Sequence, residues 1–120
     1  MKYMLLIYGN EELWESFSEE EFAQVIRDTD ALQQELRESG EFVGAYAVAD
    51  QAQAKTVRLQ DGLPAVTDGP YIEAKEYLGS FDIIDCESLE RALEIAARVP
   101  FARLGSVEVR PLMTEAAPEV

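Results

Sequence analysis

The 120-residue chain carries 24 acidic side chains against 10 basic ones and no histidine, a formal charge of −14 at pH 7. That length suits one domain with one core, and the acid surplus excludes the clustered Lys and Arg that nucleic acid or an anionic membrane surface would require. Cys86 is the single cysteine, which excludes an intrachain disulfide and points to a reducing, cytoplasmic setting.

In chain order, Met1 to Tyr8 (M-K-Y-M-L-L-I-Y) is short, apolar and aromatic-rich and stops at Gly9-Asn10, which predicts a central strand covered on both faces. The run is too short for a secretory signal, and none in the chain approaches membrane-spanning length. Asn10 to Phe17 reads as a loop carrying Trp14, either exposed or packed as an anchor over the core. Ser18-Glu19-Glu20-Glu21 is a capping box: the Ser hydroxyl accepts from the third helical N–H and Glu21 reaches back. Phe22, Val25, Ile26, Thr29, Leu32 and Leu36 then recur at helical spacing until Gly40 stops a helix of about six turns.

Phe42 to Val48 and Ala54 to Leu59 read as strands, and Gln60-Asp61-Gly62 as a hairpin turn that returns Pro64 to Thr67 alongside. Tyr77 to Asp85 is a further strand. Ser88 caps a second helix with an inner stripe of Leu89, Ala92, Leu93, Ala96 and Val99, ended by Pro100. Ser106 to Leu112 alternates as the last strand. One domain therefore spans residues 1–112, followed by a flexible acidic tail over 113–120.

This order is strand, helix, strand with an extra hairpin, strand, helix, strand. It is the split βαβ, ferredoxin-like pattern of the α+β class, with both helices on one face of an antiparallel sheet. The opposite face must then carry alternate residues such as Tyr3 or Met4, Tyr77 or Leu78, and Val107 or Val109, as a binding surface or a dimer interface.

Val66 to Phe81 (V-T-D-G-P-Y-I-E-A-K-E-Y-L-G-S-F) is the most informative stretch. Asp68 accepts from the backbone beyond it, Gly69 permits positive φ and Pro70 fixes φ near −65°, so the three residues specify a corner. Tyr71, Glu73, Lys75 and Glu76 follow directly, and ionisable groups on a corner held by strands are common ingredients of a small-molecule site.

Together with M-K-Y-M-L-L-I-Y, T-V-R-L-Q-D-G and V-E-V-R-P, this stretch resembles the YCII-related family, in its DGPF-domain branch, over about residues 1–112. The resemblance implies a homodimer, the dimeric α/β barrel, in which two sheets pack face to face and enclose pockets. It also implies a small enzyme or ligand-binding protein, with a sigma factor or another regulator as a possible partner, because members are often encoded near such factors. The chain departs from the family signature with Tyr71 in place of Phe, and with Ile72 and Ala74 where smaller or hydroxyl residues are frequent. A His-Asp pair proposed as catalytic in the wider group cannot be carried over to a chain without histidine.

Among the candidate residues, Asp68 reads both as a turn cap and as a positioning carboxylate. Glu73, Lys75 and Glu76 form either a solvated loop or the lining of a dimer pocket, where burial would bring a Glu and a Lys toward useful pKa values. Arg58 and Arg110 sit inside strand-like alternations; each either pairs with a neighbour such as Glu108 or anchors an anionic ligand. Tyr8 closes the first strand as a core phenol or as one aimed into a cavity. Cys86 reads as an inert thiol. No metal-ligand spacing, glycine-rich phosphate loop or dinucleotide fingerprint is present, so neither metal nor cofactor is expected.

Two functions follow. The first is a small-molecule-binding protein, with Tyr8, Arg58, Tyr71 and Arg110 as ligand contacts. The alternative is a cofactor-independent acid–base enzyme, with Asp68 as positioner, Glu73 or Glu76 as base, Lys75 as electrostatic stabiliser and Arg58 as anchor.

Overall fold

The computed structural model describes residues 1–113 of the chain, so the acidic tail expected beyond them lies outside the described residues. Four strands form one antiparallel sheet in the order β2-β5-β1-β6: β1 (Lys2–Gly9), β2 (Phe42–Ala47), β5 (Tyr77–Asp85) and β6 (Ser106–Pro111). Between β2 and β5, strands β3 (Lys55–Gln60) and β4 (Leu63–Asp68) pair only with each other as a separate ribbon. This is the expected ferredoxin-like arrangement with an inserted hairpin.

Two long helices cover one face. Helix α2 (Glu19–Ser39) starts on the capping box at Ser18 and Glu21 and ends at Gly40, which takes the left-handed conformation that glycine tolerates best (φ 81°). Helix α3 (Leu89–Ala97) starts at Ser88, whose hydroxyl accepts from the Arg91 N–H. Alternation along β1 puts Tyr3, Leu5 and Ile7 on the covered face, where they join Ile84 of β5, Leu32 and Leu36 of α2, and Ala92, Ile95 and Ala96 of α3 in one core. Each large side chain buried there contributes about 1.5–3 kcal/mol relative to exposure.

The structure differs from the sequence reading at several points, each for a local reason. The segment after β1 is not a plain loop: the Asn10 side chain accepts from the Leu13 N–H and starts a short helix, α1 (Glu11–Glu15). Helix α3 is turned so that Ile95 enters the core, while Leu89 and Leu93 stay about half exposed. Strand β1 is covered on one face only. Val107 and Val109 pack against the core, so β6 presents Ser106, Glu108 and Arg110 to the other side. The register places Met4, Leu6 and Tyr8 of β1 beside Ile83, Phe81 and Leu78 of β5, with Tyr46 of β2 ring-to-ring against Phe81 at 5.4 Å. The open face is thus apolar in the middle and charged along its β6 edge.

The hairpin turn is as expected, with Asp61 and Gly62 both at positive φ (51° and 80°). The D-G-P corner forms differently. Gly69 takes φ 92°, its N–H donates to Ala54 O at 2.8 Å, and Thr56 Oγ1 donates to Gly69 O at 2.8 Å. The Asp68 carboxylate leaves its own turn and pairs with Lys55.

Glu41, between α2 and β2, ties that junction to α3. Arg91 donates to it through Nε (2.9 Å) and Nη2 (2.8 Å), and Ser39 Oγ donates to it at 2.7 Å. These donors, with the Arg91 hydrogen bonds foremost, hold the Glu41 carboxyl down at about 2. A depressed carboxyl pKa stabilises the fold above the ordinary carboxylate range, and that contribution is lost as pH falls through the folded value. Arg91→Ala is therefore expected to cost roughly 1.5–3 kcal/mol at neutral pH. In denaturant titrations, the gap between wild type and variant should close as pH falls below about 4 toward 2.

Candidate functional site

A cleft of about 340 Å³ opens at the end of the covered face, between the sheet, α1, the first turns of α2 and the turn Pro100–Arg103. Its volume lies at the lower end of the range for small-molecule sites. Four aromatic side chains line it: Trp14, Phe22, Tyr77 and Phe101. Ile7 and Ser80 contribute from the sheet, and Val48 and Asp50 from the segment after β2.

The cleft follows from a few local features. Beyond Ile7 the pairing of β1 with β5 slips: Ile7 faces Ser80 and Tyr8 faces Leu78, leaving Gly79 as an extra residue in a bulge. Trp14 packs against the two glycines at this point. A Cβ on Gly9 would lie 2.7 Å from Trp14 Nε1, and one on Gly79 would lie 2.6 Å from its Cζ2, so any larger residue would displace the indole. Tyr77 meets Trp14 edge-on at 5.4 Å. Phe101 holds the far wall through edge contacts with Phe17 (6.4 Å) and Phe22 (6.3 Å). The Val48 N–H donates to Gly79 O at 3.0 Å, which carries the β2 pairing past the strand end and positions Val48 to Asp50 at the mouth.

One rung deeper on the same face lies Asp82. Ser80 pairs with Ile7 and Ala47, which line the cleft; Asp82 pairs with the next inward residues, Leu5 and Ala45. Among the described residues no side chain or backbone group hydrogen-bonds or ion-pairs with its carboxyl. Burial alone pushes its pKa up to about 6. The hydroxyls of Ser80 and Tyr77 and the Trp14 N–H likewise make no hydrogen bond among the described residues. The cleft therefore combines an apolar, ring-lined wall with polar groups uncommitted among the described residues, and the Asp82 carboxyl, pushed up to about 6, lies one rung beyond its lining.

None of the eight residues singled out in the sequence lines this cleft. Asp68 is exposed in its ion pair with Lys55. Glu73 and Lys75 are exposed after the corner, where the Lys75 carbonyl accepts from Asn10 Nδ2 at 3.0 Å. Glu76 and Tyr8 share a shallow groove with Ser106, Val107 and Glu108 at the edge of the open sheet face. Arg58 stacks over the Tyr71 ring at 5.8 Å on the ribbon, beside Pro70. Arg110 pairs with Glu108 at 3.2 Å, the neighbour considered for it. The structure thus places Arg58 with Tyr71 and Tyr8 with Glu76, and keeps the two groups apart.

Sequence reasoning noted Trp14 as an anchor over the core but did not reach Asp82. One signal was present: Asp82 stands at the same parity as Ile84 in β5, a charged residue at an inward position. Cys86 is buried, its thiol pushed up by burial first, as befits an inert side chain. Among the described residues no group of three His, Cys, Asp or Glu is placed to hold a metal ion, and no helix is long and apolar enough to cross a membrane.

Compared with known proteins, the chain matches the family model described as the YCII-related domain over residues 1–116. It is also similar to an uncharacterized protein of Rhizobium meliloti (strain 1021), 39% identical over 114 residues, which span 93% of this chain and 92% of that protein.

The partly buried Asp82 carries a signed prediction. Its folded pKa is raised, so the carboxyl costs nothing at low pH, where it is protonated in both states. The penalty grows as pH rises from the unfolded value of 3.8 to about 6, and is complete above that. Asp82→Asn should match wild-type stability near pH ~4 and exceed it by roughly 1–3 kcal/mol above pH ~7, as read from urea midpoints.

Proposed function

The chain belongs to the YCII-related family, and on that premise we propose that it is a small-molecule-binding protein whose ligand occupies the aromatic cleft. The observation that carries this reading is the cleft itself: four rings and uncommitted polar groups around about 340 Å³ beside the sheet. Concave apolar walls with a few convergent polar groups are the usual form of such sites. A ligand of one or two rings matches the volume, stacking on Trp14 and Tyr77 and hydrogen-bonding to Ser80 or the Tyr77 hydroxyl.

A second reading is supported by Asp82. A carboxyl titrating at about 6 next to a ligand cleft has the pKa of a general base at neutral pH, so a cofactor-independent proton-transfer enzyme is the alternative. Regulation through a sigma factor, the partner the resemblance implies, fits the first reading with the ligand as the signal.

The homodimer is the proposed assembly. The apolar centre of the open face, Met4, Leu6, Phe81 and Ile83 with Tyr46 beside them, is the kind of surface that a second copy covers. Tyr8, Glu76, Glu108 and Arg110 would then lie along the rim of that contact.

Two measurements follow. In 2-phenylethanol titrations followed by Trp14 emission and aromatic NMR shifts, changes should concentrate on Phe22, Tyr77 and Phe101. Changes centred on Tyr8, Arg58 or Tyr71 would move the site away from the cleft. Light scattering should give the mass of two chains for wild type and of one for Phe81→Arg with an unchanged circular dichroism spectrum; a wild-type monomer would remove the dimer.

A further inference from the structure

We infer that the aromatic cleft selects a cationic ligand: an amine with an apolar, ring-bearing body, its ammonium group directed to Asp50 and Asp82. The inference rests on the cleft-binding reading above and names the class of molecule that the site takes.

Charge at the site is one-sided. Among the lining residues there is no Lys or Arg, while Asp50 stands in the mouth. Glu11 opens the short helix that carries Trp14, and its carboxyl titrates above its usual range because of Glu15 first and Asp50 further down. The shift reflects negative charge from Glu15 and Asp50 acting on Glu11, at the helix beside the mouth. Asp82 adds a fourth carboxyl on the inner side, one rung beyond Ser80 and with no cationic partner among the described residues. Against a chain of charge −14, an anionic ligand would meet repulsion at the entrance and no cation inside.

The walls suit the same ligand. Ring faces attract cations through their quadrupole, best in Trp and then Tyr, and these are two of the four aromatic residues in the lining. A partly buried carboxylate with no partner among the described residues carries a desolvation cost, and an ammonium that donates to it relieves that cost. A neutral ligand would use the walls and leave Asp82 as it stands.

The test compares three probes of one shape: 2-phenylethylamine, 2-phenylethanol and 3-phenylpropionate, titrated at neutral pH and low salt against Trp14 emission, the chain having a single tryptophan. The ammonium is expected to bind roughly tenfold tighter than the alcohol, and the carboxylate more weakly than either. Asp82→Asn and Asp50→Asn should each lower the ratio of ammonium to alcohol affinity severalfold. Asn at 50 keeps the side-chain oxygen that accepts from the Ala52 N–H at 2.8 Å, so the turn there is preserved. If the alcohol binds but the ammonium has no advantage, or keeps its full advantage in both variants, the charge inference is overturned and the cleft reading stands. If none of the three probes perturbs Trp14, both fall together.

Discussion

Trp14 can pack against the sheet only because Gly9 and Gly79 carry no side chains, and the cleft exists because it does so. A single methyl group at either position would overlap the indole. The bulge that inserts Gly79 opposite the end of β1 supplies the second glycine and shifts Tyr77 into edge contact with the ring. Below this point the inner face is closed by Leu5, Ile84 and Ile95, all with no residual exposure. Above it, the rings of Trp14, Phe22, Tyr77 and Phe101 line the cleft. Packing density falls where regular alternation stops, so an abrupt end to the core becomes a recess rather than a frayed edge.

Charge is distributed according to the same geometry. Three arginines form ion pairs on or beside the helices: Arg91 with Glu41 and Glu94, Arg98 with Glu35, and Arg103 with Asp28. The partly buried Arg91–Glu41 pair joins the α2–β2 junction to α3, whereas the exposed pairs contribute little each. Among the described residues, Glu11, Glu15 and Asp50, near α1 and the mouth of the cleft, form no ion pair. The Glu11 carboxyl is raised by neighbouring charge, with Glu15 first, and the Asp82 carboxyl by loss of water.

Most of the architecture was legible in the sequence because it rests on local chemistry. The Ser18 and Ser88 caps, the Gly40 stop and the Asp61-Gly62 turn each express a preference of a few neighbouring residues, and each is found where that preference puts it. Family resemblance was legible for the same reason, since its motifs are runs of adjacent residues. Asn10 was read as loop because a five-residue helix has too few positions to show periodicity. The rotation of α3 escaped because Leu89 and Leu93 lie within one turn of Ala92 and Ile95, and hydropathy alone ranks them alike. The residues after the D-G-P corner drew attention by density of charge, which marks solvent as readily as a site.

Residue order by itself determined the α+β class, the position of the inserted hairpin, the two long helices and membership of the YCII-related family. Each is written in short-range periodicity or in contiguous motif, and neither needs knowledge of what lies across the fold. Tertiary structure alone decided that Trp14 meets Gly79, 65 positions away, that Phe22 faces Phe101, and that Asp82 lies one rung beyond Ser80 with no partner among the described residues. Those outcomes depend on the register of β1 against β5 and on one extra residue in that pairing. In a strand, such a shift changes which side chains share a face, and a linear pattern of types does not encode it.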